Sequence, residues 1–126
     1  MSPDSVSVFL CDDVEELRML VRLVLEEDDT LHVVGEAGDG RTGVEEIARL
    51  QPGIVVLDLS MPELDGLEAI PLIHEVAPAA RILVFSGYES GRMAPAALSR
   101  KASTYVQKGA SLDELRDAVR QLARAA

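Results

Sequence analysis

The sequence predicts an α/β protein in which five strands alternate with five helices to build one doubly wound parallel sheet, covered on both faces. Three observations predict it. Short apolar runs, rich in β-branched residues, recur at 6–11, 31–37, 54–57, 81–85 and 103–107, each too brief for a helix. The segments between them are longer, and most carry apolar residues at helical spacing, the alternation that produces parallel strands joined by right-handed crossovers. The run Ile54-Val55-Val56-Leu57 is apolar at every position, as expected of a strand with no solvent-facing side.

Each element has its own warrant. The first strand, 6–11, ends directly in Asp12-Asp13. Asp13-Val14-Glu15-Glu16 has capping-box form, so a helix starting on those acids is expected to turn Leu17, Leu20, Val21, Val24 and Leu25 inward. The second strand gives way to Gly38-Asp39-Gly40 and a helix carrying Val44, Ile47, Ala48 and Leu50. Glycines at 35, 38, 40 and 43 lack the spacing of a dinucleotide loop and read as a glycine-bearing connection. The central strand is entered through Pro52-Gly53 and delivers Asp58 to its carboxyl end. A loop to Gly66 follows, then a third helix over 67–77 with Pro71 inside it, which should mark a late first turn or a bend.

The fourth strand ends in Ser86-Gly87. Residues 88–102 form the least regular segment, broken by Gly91 and Pro95, and predict a short or mobile helix. The fifth strand ends in Lys108-Gly109. Ser111-Leu112-Asp113-Glu114 is a capping box opening a last helix with Leu112, Leu115, Val119 and Leu122 inward; Arg116, Arg120 and Arg124 form a stripe that reads as a solvated face.

The chain has 126 residues, 48% of them hydrophobic, which is one domain's worth with a proper core. A second folded domain is not expected within residues 1–126. Neither a membrane-length apolar run nor a signal peptide is present, so a cytoplasmic protein is expected. A formal net charge of −10 argues against direct binding of nucleic acid or anionic lipid and favours proteins and cations as partners. Cys11 has no cysteine to pair with and reads as a small buried residue; His32 reads as a packing or surface histidine, having no second His or Cys placed with it.

Four strand ends thus carry a reactive group: Asp12-Asp13, Asp58, Ser86 and Lys108. Ligands of open α/β sheets bind at that edge. Taken singly, Asp58 is a turn residue before Pro62, Ser86 a turn former before Gly87 and Lys108 a solvated lysine; their convergence on one edge is what argues for chemistry. Like charges brought within a few ångström repel by about 4 kcal/mol per pair at an effective dielectric of 20, so the cluster needs a cation. An oxygen-only donor set suits Mg²⁺, with Mn²⁺ as an alternative. Asp58 can then act as a nucleophile toward a phosphoryl group, with Lys108 and Ser86 on the transferred oxygens.

From residue 6 to about 123 the chain resembles the receiver domain of two-component response regulators. The likeness rests on Asp12-Asp13, on Asp58 within Leu57-Asp58-Leu59-Ser60-Met61-Pro62-Glu63-Leu64-Asp65-Gly66, and on Ser86, Tyr105 and Lys108. It implies a flavodoxin-like fold of strand order 2-1-3-4-5 and phosphoryl transfer to Asp58 from a sensor histidine kinase or phosphotransfer protein. It further implies that Asp13, Asp58 and the backbone carbonyl of Ser60 hold the metal, with Asp12 acting mainly through a bound water. Ser86 and Tyr105 would be the switch pair that shifts the face made by helix 4, strand 5 and helix 5. Lys108-Gly109-Ala110-Ser111, where many receivers have proline after the lysine, looks like the LuxR/NarL-type subgroup. That implies a downstream protein, or a C-terminal DNA-binding domain outside this chain, as the output, and leaves room for a homodimer on phosphorylation. Two positions depart from the family pattern: a common Gly-Ala turn before strand five reads Lys101-Ala102, and the usual glycine before the aromatic is Thr104.

Two other readings compete. A haloacid-dehalogenase-type phosphohydrolase also combines Asp, Ser or Thr, Lys and Mg²⁺, but carries its nucleophile on the first motif strand with a second acid two residues on, where this chain has Ser60. A phosphorylation-independent adaptor is opposed by the complete set of acids. The expected catalysis is limited to self-phosphorylation and slow autodephosphorylation, so the chain is not expected to be a turnover enzyme.

Overall fold

A computed structural model describes residues 5–88 and 90–124. Five parallel strands, β1 (Val6–Cys11), β2 (Leu31–Ala37), β3 (Ile54–Leu57), β4 (Arg81–Ser86) and β5 (Thr104–Gln107), form a single sheet in the order β2-β1-β3-β4-β5. The helices are α1 (Glu15–Leu25), α2 (Gly40–Leu50), α3 (Gly66–Val76), α4 (Ser90–Ser99) and α5 (Leu112–Arg124). This is the doubly wound, flavodoxin-like sheet expected of the sequence. All four residues of β3 are buried, as a strand between β1 and β4 with helices on both faces must be.

The two faces have separate cores. Phe9, Val55, Leu57 and Ile82 pack with Ile47 of α2 and Ile70 and Ile73 of α3. On the other side Val8, Leu10, Val56 and Leu83 pack with Val21 and Leu25 of α1 and Leu115 and Val119 of α5. Successive strand residues point to opposite faces, so an unbroken apolar run supplies both cores at once. At the β2 edge the register slips between Val8 and Phe9, leaving Val34 as an extra, exposed residue in a bulge.

Three local expectations are corrected. The capping box on Asp13 does not form: α1 starts at Glu15 after Val14, and it is the side chain of Asp12 that accepts the Val14 N–H, at 2.9 Å. Leu20 does not face inward but is 50% exposed, with Met19 and Leu23 beside it, because only the stripe through Val21 and Leu25 meets the sheet. Two of the three α5 arginines do not lie on a solvated face, while Arg124 is exposed as expected. Arg120 pairs with Asp28 at 2.6 Å and Arg116 with Glu27 at 3.5 Å, fastening α5 to the turn after α1.

Elsewhere the elements start where the sequence places them, with differences in detail. The Ser111 hydroxyl accepts the Glu114 N–H at 3.1 Å at the start of α5. Pro71 does not mark the first turn of α3: it lies exposed farther along the helix, which starts at Gly66 and continues past it to Val76. The irregular segment folds as a ten-residue helix, α4, nearly as long as α1–α3 rather than short, with its Ala97 buried. That helix closes by a Schellman arrangement, with Ala102 N–H on the Ala97 carbonyl and Lys101 N–H on that of Leu98. Lys101 takes the left-handed position at φ 75°.

Candidate functional site

β1 and β3 are adjacent and in register from Val8 and Ile54 to Cys11 and Leu57, so Asp12 and Asp58 leave the sheet side by side. The Asp58 N–H donates to the Cys11 carbonyl at 2.9 Å, extending the ladder to the first residue of the site. Oxygens of Asp12, Asp13 and Asp58 lie within 4.8 Å of one another. Asp12 and Asp58 are buried and Asp13 is exposed, so the cluster opens to solvent on one side.

Lys108 reaches into this group from the end of β5. Its Nζ is 2.8 Å from Asp12 Oδ2 and 3.4 Å from Asp58 Oδ2, and 5.8 Å from the centre of the Phe85 ring. Burial and the charge of Asp12 push the Asp58 carboxyl above its ordinary value; Lys108 only partly opposes them. Burial would lower the Lys108 ammonium, but its hydrogen bond to Asp12 and the charges of both acids hold it above the usual lysine value. The site therefore contains negative charge that one ammonium does not fully balance.

That electrostatic state and the donor chemistry fit a hard divalent cation. The clustered donors are carboxylate oxygens. Cys11, directly before the acids, lies outside this cluster of donors, and burial, then the charges of Asp39, Asp12 and Asp58, push its thiol up to about 12. Its Sγ packs 3.5 Å from Met61 Sδ.

The loop after Asp58 is folded back on the site. Ser60 is exposed, and its N–H donates to Asp58 Oδ1 at 3.3 Å. The Gly66 N–H bonds the Leu59 carbonyl at 2.9 Å, and a Cβ at Gly66 would stand 2.4 Å from the Asp58 carbonyl oxygen. Only glycine lets the start of α3 approach the backbone of Asp58 so closely. The glycines near α2 are also packing positions. A Cβ at Gly40 would collide with the Leu64 carbonyl and one at Gly43 with Cys11 Sγ.

Ser86, the last residue of β4, is fully buried, and its Oγ accepts the Tyr88 N–H at 3.3 Å. Its carbonyl accepts the Lys108 N–H at 2.6 Å, so the hydroxyl and the ammonium rise from hydrogen-bonded neighbours. Tyr105 is partly buried, and its hydroxyl donates to the Tyr88 carbonyl at 2.8 Å. The Ser86–Tyr88 turn is thus held from strand β5. Gly109, at φ 115°, follows Lys108 in a conformation that neither proline nor most other residues adopt.

One pair beside the site escaped the sequence reading. Arg18 of α1 donates from Nη1 to the Asp12 backbone carbonyl and from Nε to Glu36 Oε1 of β2 at 2.9 Å. The three residues lie on different elements without periodic signal, and only the fold brings them together.

Residues 8–120 match the response regulator receiver domain family. Among curated relatives, the chain is 42% identical over 103 residues to protein-glutamate methylesterase/protein-glutamine glutaminase 3 of Paramagnetospirillum magneticum, covering 82% of this chain and 29% of that protein. It is 33% identical over 120 residues to the nitrate/nitrite response regulator protein NarL of Escherichia coli K12, covering 95% of this chain and 56% of the relative. The chain therefore spans roughly a third to a half of such relatives. Of solved structures, the receiver domain of the putative response regulator NarL from Mycobacterium tuberculosis superposes with a TM-score of 0.91 at 28% identity, covering 98% of this chain and all of that one. The isolated REC domain of RcsB from Salmonella enterica serovar Typhimurium, in the presence of phosphomimetic BeF3-, gives 0.88 at 25% identity, covering 95% of this chain and 89% of the other.

Both NarL-like and methylesterase relatives are similar to this chain, so the likeness does not single out the expected LuxR/NarL-type subgroup. The matched segment contains the acid cluster, Ser86, Tyr105 and Lys108, and the chain belongs to the response regulator receiver domain family.

Proposed function

We propose that this domain is a cytoplasmic phosphoacceptor switch of a two-component phosphorelay, with Asp58 as the residue phosphorylated. The observation that carries this reading is the convergence of Asp12, Asp13 and Asp58 within 4.8 Å, with Lys108 Nζ at 2.8 and 3.4 Å from the two buried acids. Asp12, Asp13, Asp58 and the backbone carbonyl of Ser60 would hold Mg²⁺, which when bound supplies charge neutralisation for the carboxylates and the phosphoryl oxygens.

An Asp58 carboxylate oxygen attacks phosphorus in a phosphohistidine of the donor, a sensor histidine kinase or phosphotransfer protein. The P–O bond forms as the P–N bond breaks, and the donor's imidazole nitrogen takes the bonding pair. Lys108 shifts its ammonium from the carboxylates toward the transferred oxygens, and the buried Ser86 hydroxyl donates to one of them. Ser86 and Lys108 are joined through the backbone, and the Tyr88 carbonyl holds Tyr105. Movement of the hydroxyl therefore changes what the ring can bond, and biases the face made by α4, β5 and α5. The domain's own chemistry is this transfer and slow hydrolysis of the acyl phosphate, without turnover of another substrate.

The LuxR/NarL-type assignment is part of this proposal and is supported by the Lys108-Gly109-Ala110-Ser111 turn, with Gly109 at φ 115°. It makes the output a DNA-binding domain outside this chain or a separate downstream protein.

Intact mass after incubation with acetyl phosphate tests the central step. One Mg²⁺-dependent phosphoryl adduct, lost in Asp58→Asn, is the expected result. Absence of an adduct, together with no binding of beryllofluoride, overturns it.

A further inference from the structure

The acids of the candidate site differ in how they are held. Asp12 is tied at every polar group: its N–H bonds the Ala37 carbonyl at 3.0 Å, Oδ1 accepts from Val14, Oδ2 pairs with Lys108, and its carbonyl accepts from Arg18 Nη1. Asp13 is exposed, and among the described residues no hydrogen bond or ion pair holds its carboxylate. Its direction is set by its backbone alone. The Asp12 carbonyl and the Asp13 N–H belong to one planar peptide unit, so whatever fixes that carbonyl also fixes the N–Cα axis of Asp13 and narrows the directions its side chain can take.

Arg18 is built for that task. Its side chain is only 16% exposed, and its Nε is engaged by Glu36 Oε1 at 2.9 Å. Glu36 is itself braced by Arg22, whose Nη2 lies 2.7 Å from the other carboxylate oxygen. The turn after β2 closes the remaining side, where a Cβ on Gly38 would already stand 3.4 Å from Arg18 Nη1. A guanidinium is a rigid planar fork, so fixing Nε aims Nη1.

We propose that Arg18, aimed by Glu36, is a positioning residue for the cation-binding acids: it clamps the Asp12–Asp13 peptide so that Asp13 points into the cluster. This rests on the cation reading given above.

Electrostatics makes the proposal falsifiable by sign. A positive charge beside an acid cluster repels a divalent cation, so loss of Arg18 acting only as a charge would tighten Mg²⁺ binding. Loss of a clamp weakens it, and groups that orient metal ligands commonly contribute about 10–100-fold to metal affinity. Arg22 is the matched control, since it carries the same charge and touches Glu36 without reaching the carbonyl.

The experiment is Mg²⁺ titration by calorimetry of wild type, Arg18→Met, Arg22→Met and Glu36→Gln, with thermal unfolding of each in EDTA. Arg18→Met should weaken binding about tenfold or more. Arg22→Met should change it less than about twofold, and Glu36→Gln, which keeps an acceptor for Nε, should fall between them. Should Arg18→Met fail to fold, Arg18→Lys serves: it keeps the charge, loses the fork, and is expected to bind Mg²⁺ several-fold more weakly than wild type. Unchanged or tighter binding by the Arg18 variant overturns the clamp while leaving the cation reading intact. A wild-type protein that binds no Mg²⁺ overturns both.

Discussion

At the scale of single residues, the site is a place where local stability is given up. Asp58 is 3% exposed and lies beside a second carboxylate, so ionising it costs the folded state more than the unfolded one. Stability is therefore lost as pH rises through its raised pKa. Asp58→Asn removes that cost while Lys108 keeps Asp12 as a partner. In EDTA at neutral pH the variant should be more stable than wild type by on the order of 1–3 kcal/mol, read from urea unfolding. Mg²⁺ should then raise the wild type's midpoint more than the variant's. A variant less stable than wild type in EDTA would contradict the charge argument.

Lys101 is strained in a different way. At φ 75° it occupies the Schellman position that glycine fills without steric cost. Lys101→Gly should stabilise the protein by about 1 kcal/mol in equilibrium unfolding, whereas Lys101→Ala should not. The departure from a Gly-Ala turn was legible in the sequence, but its energetic meaning required the dihedral angle.

At the scale of elements, what could be read from the chain follows from periodicity. β3 and the strand ends were legible because four apolar residues bounded by a turn and an acid leave few alternatives. α1 was legible as a helix but not in its details. Five apolar positions at helical spacing span a wider stripe than one sheet contact covers, so Leu20 emerges exposed, and Asp12 rather than Asp13 supplies the side-chain acceptor at the helix entrance. The Arg18–Glu36 and Arg120–Asp28 pairs were illegible for a common reason: even where a charge falls at helical spacing, as Arg120 does, the spacing does not name its partner, and each pair joins different elements.

The clasp between α1 and α5 makes its own prediction. Asp28 is held well below the ordinary carboxylate value by its hydrogen bonds to Thr30 and by Arg120. A lowered pKa adds stability above the unfolded value, which is lost as pH falls. Asp28→Asn should therefore lower the urea midpoint at pH 7, and the gap to wild type should shrink once pH drops below 3.8. A gap independent of pH would assign the effect to packing instead.

For the whole molecule, the strand order carries most of the functional information. Placing β1 and β3 side by side, with β4 and β5 following, brings Asp12, Asp58, Ser86 and Lys108 from dispersed sequence positions to one edge. Among the described residues no helix is long and apolar enough to cross a membrane. The candidate site was legible because its chemistry falls at strand ends, where the topology has little freedom. The side-chain scaffold behind the acids was not, because it depends on the depth and angle at which α1 packs.

The bulge at Val34 bears on how other molecules can engage this one. A sheet with two outer strands offers two rows of unpaired backbone groups on which foreign chains could polymerise. Here one outer strand, β2, is locally kinked by its extra residue, and the other, β5, is only four residues long. Neither presents the long, flat template that strand addition needs. On that geometry, side chains on helices and turns are the better candidates for recognition, and the same irregularities that deny a docking rail disfavour edge-to-edge self-association.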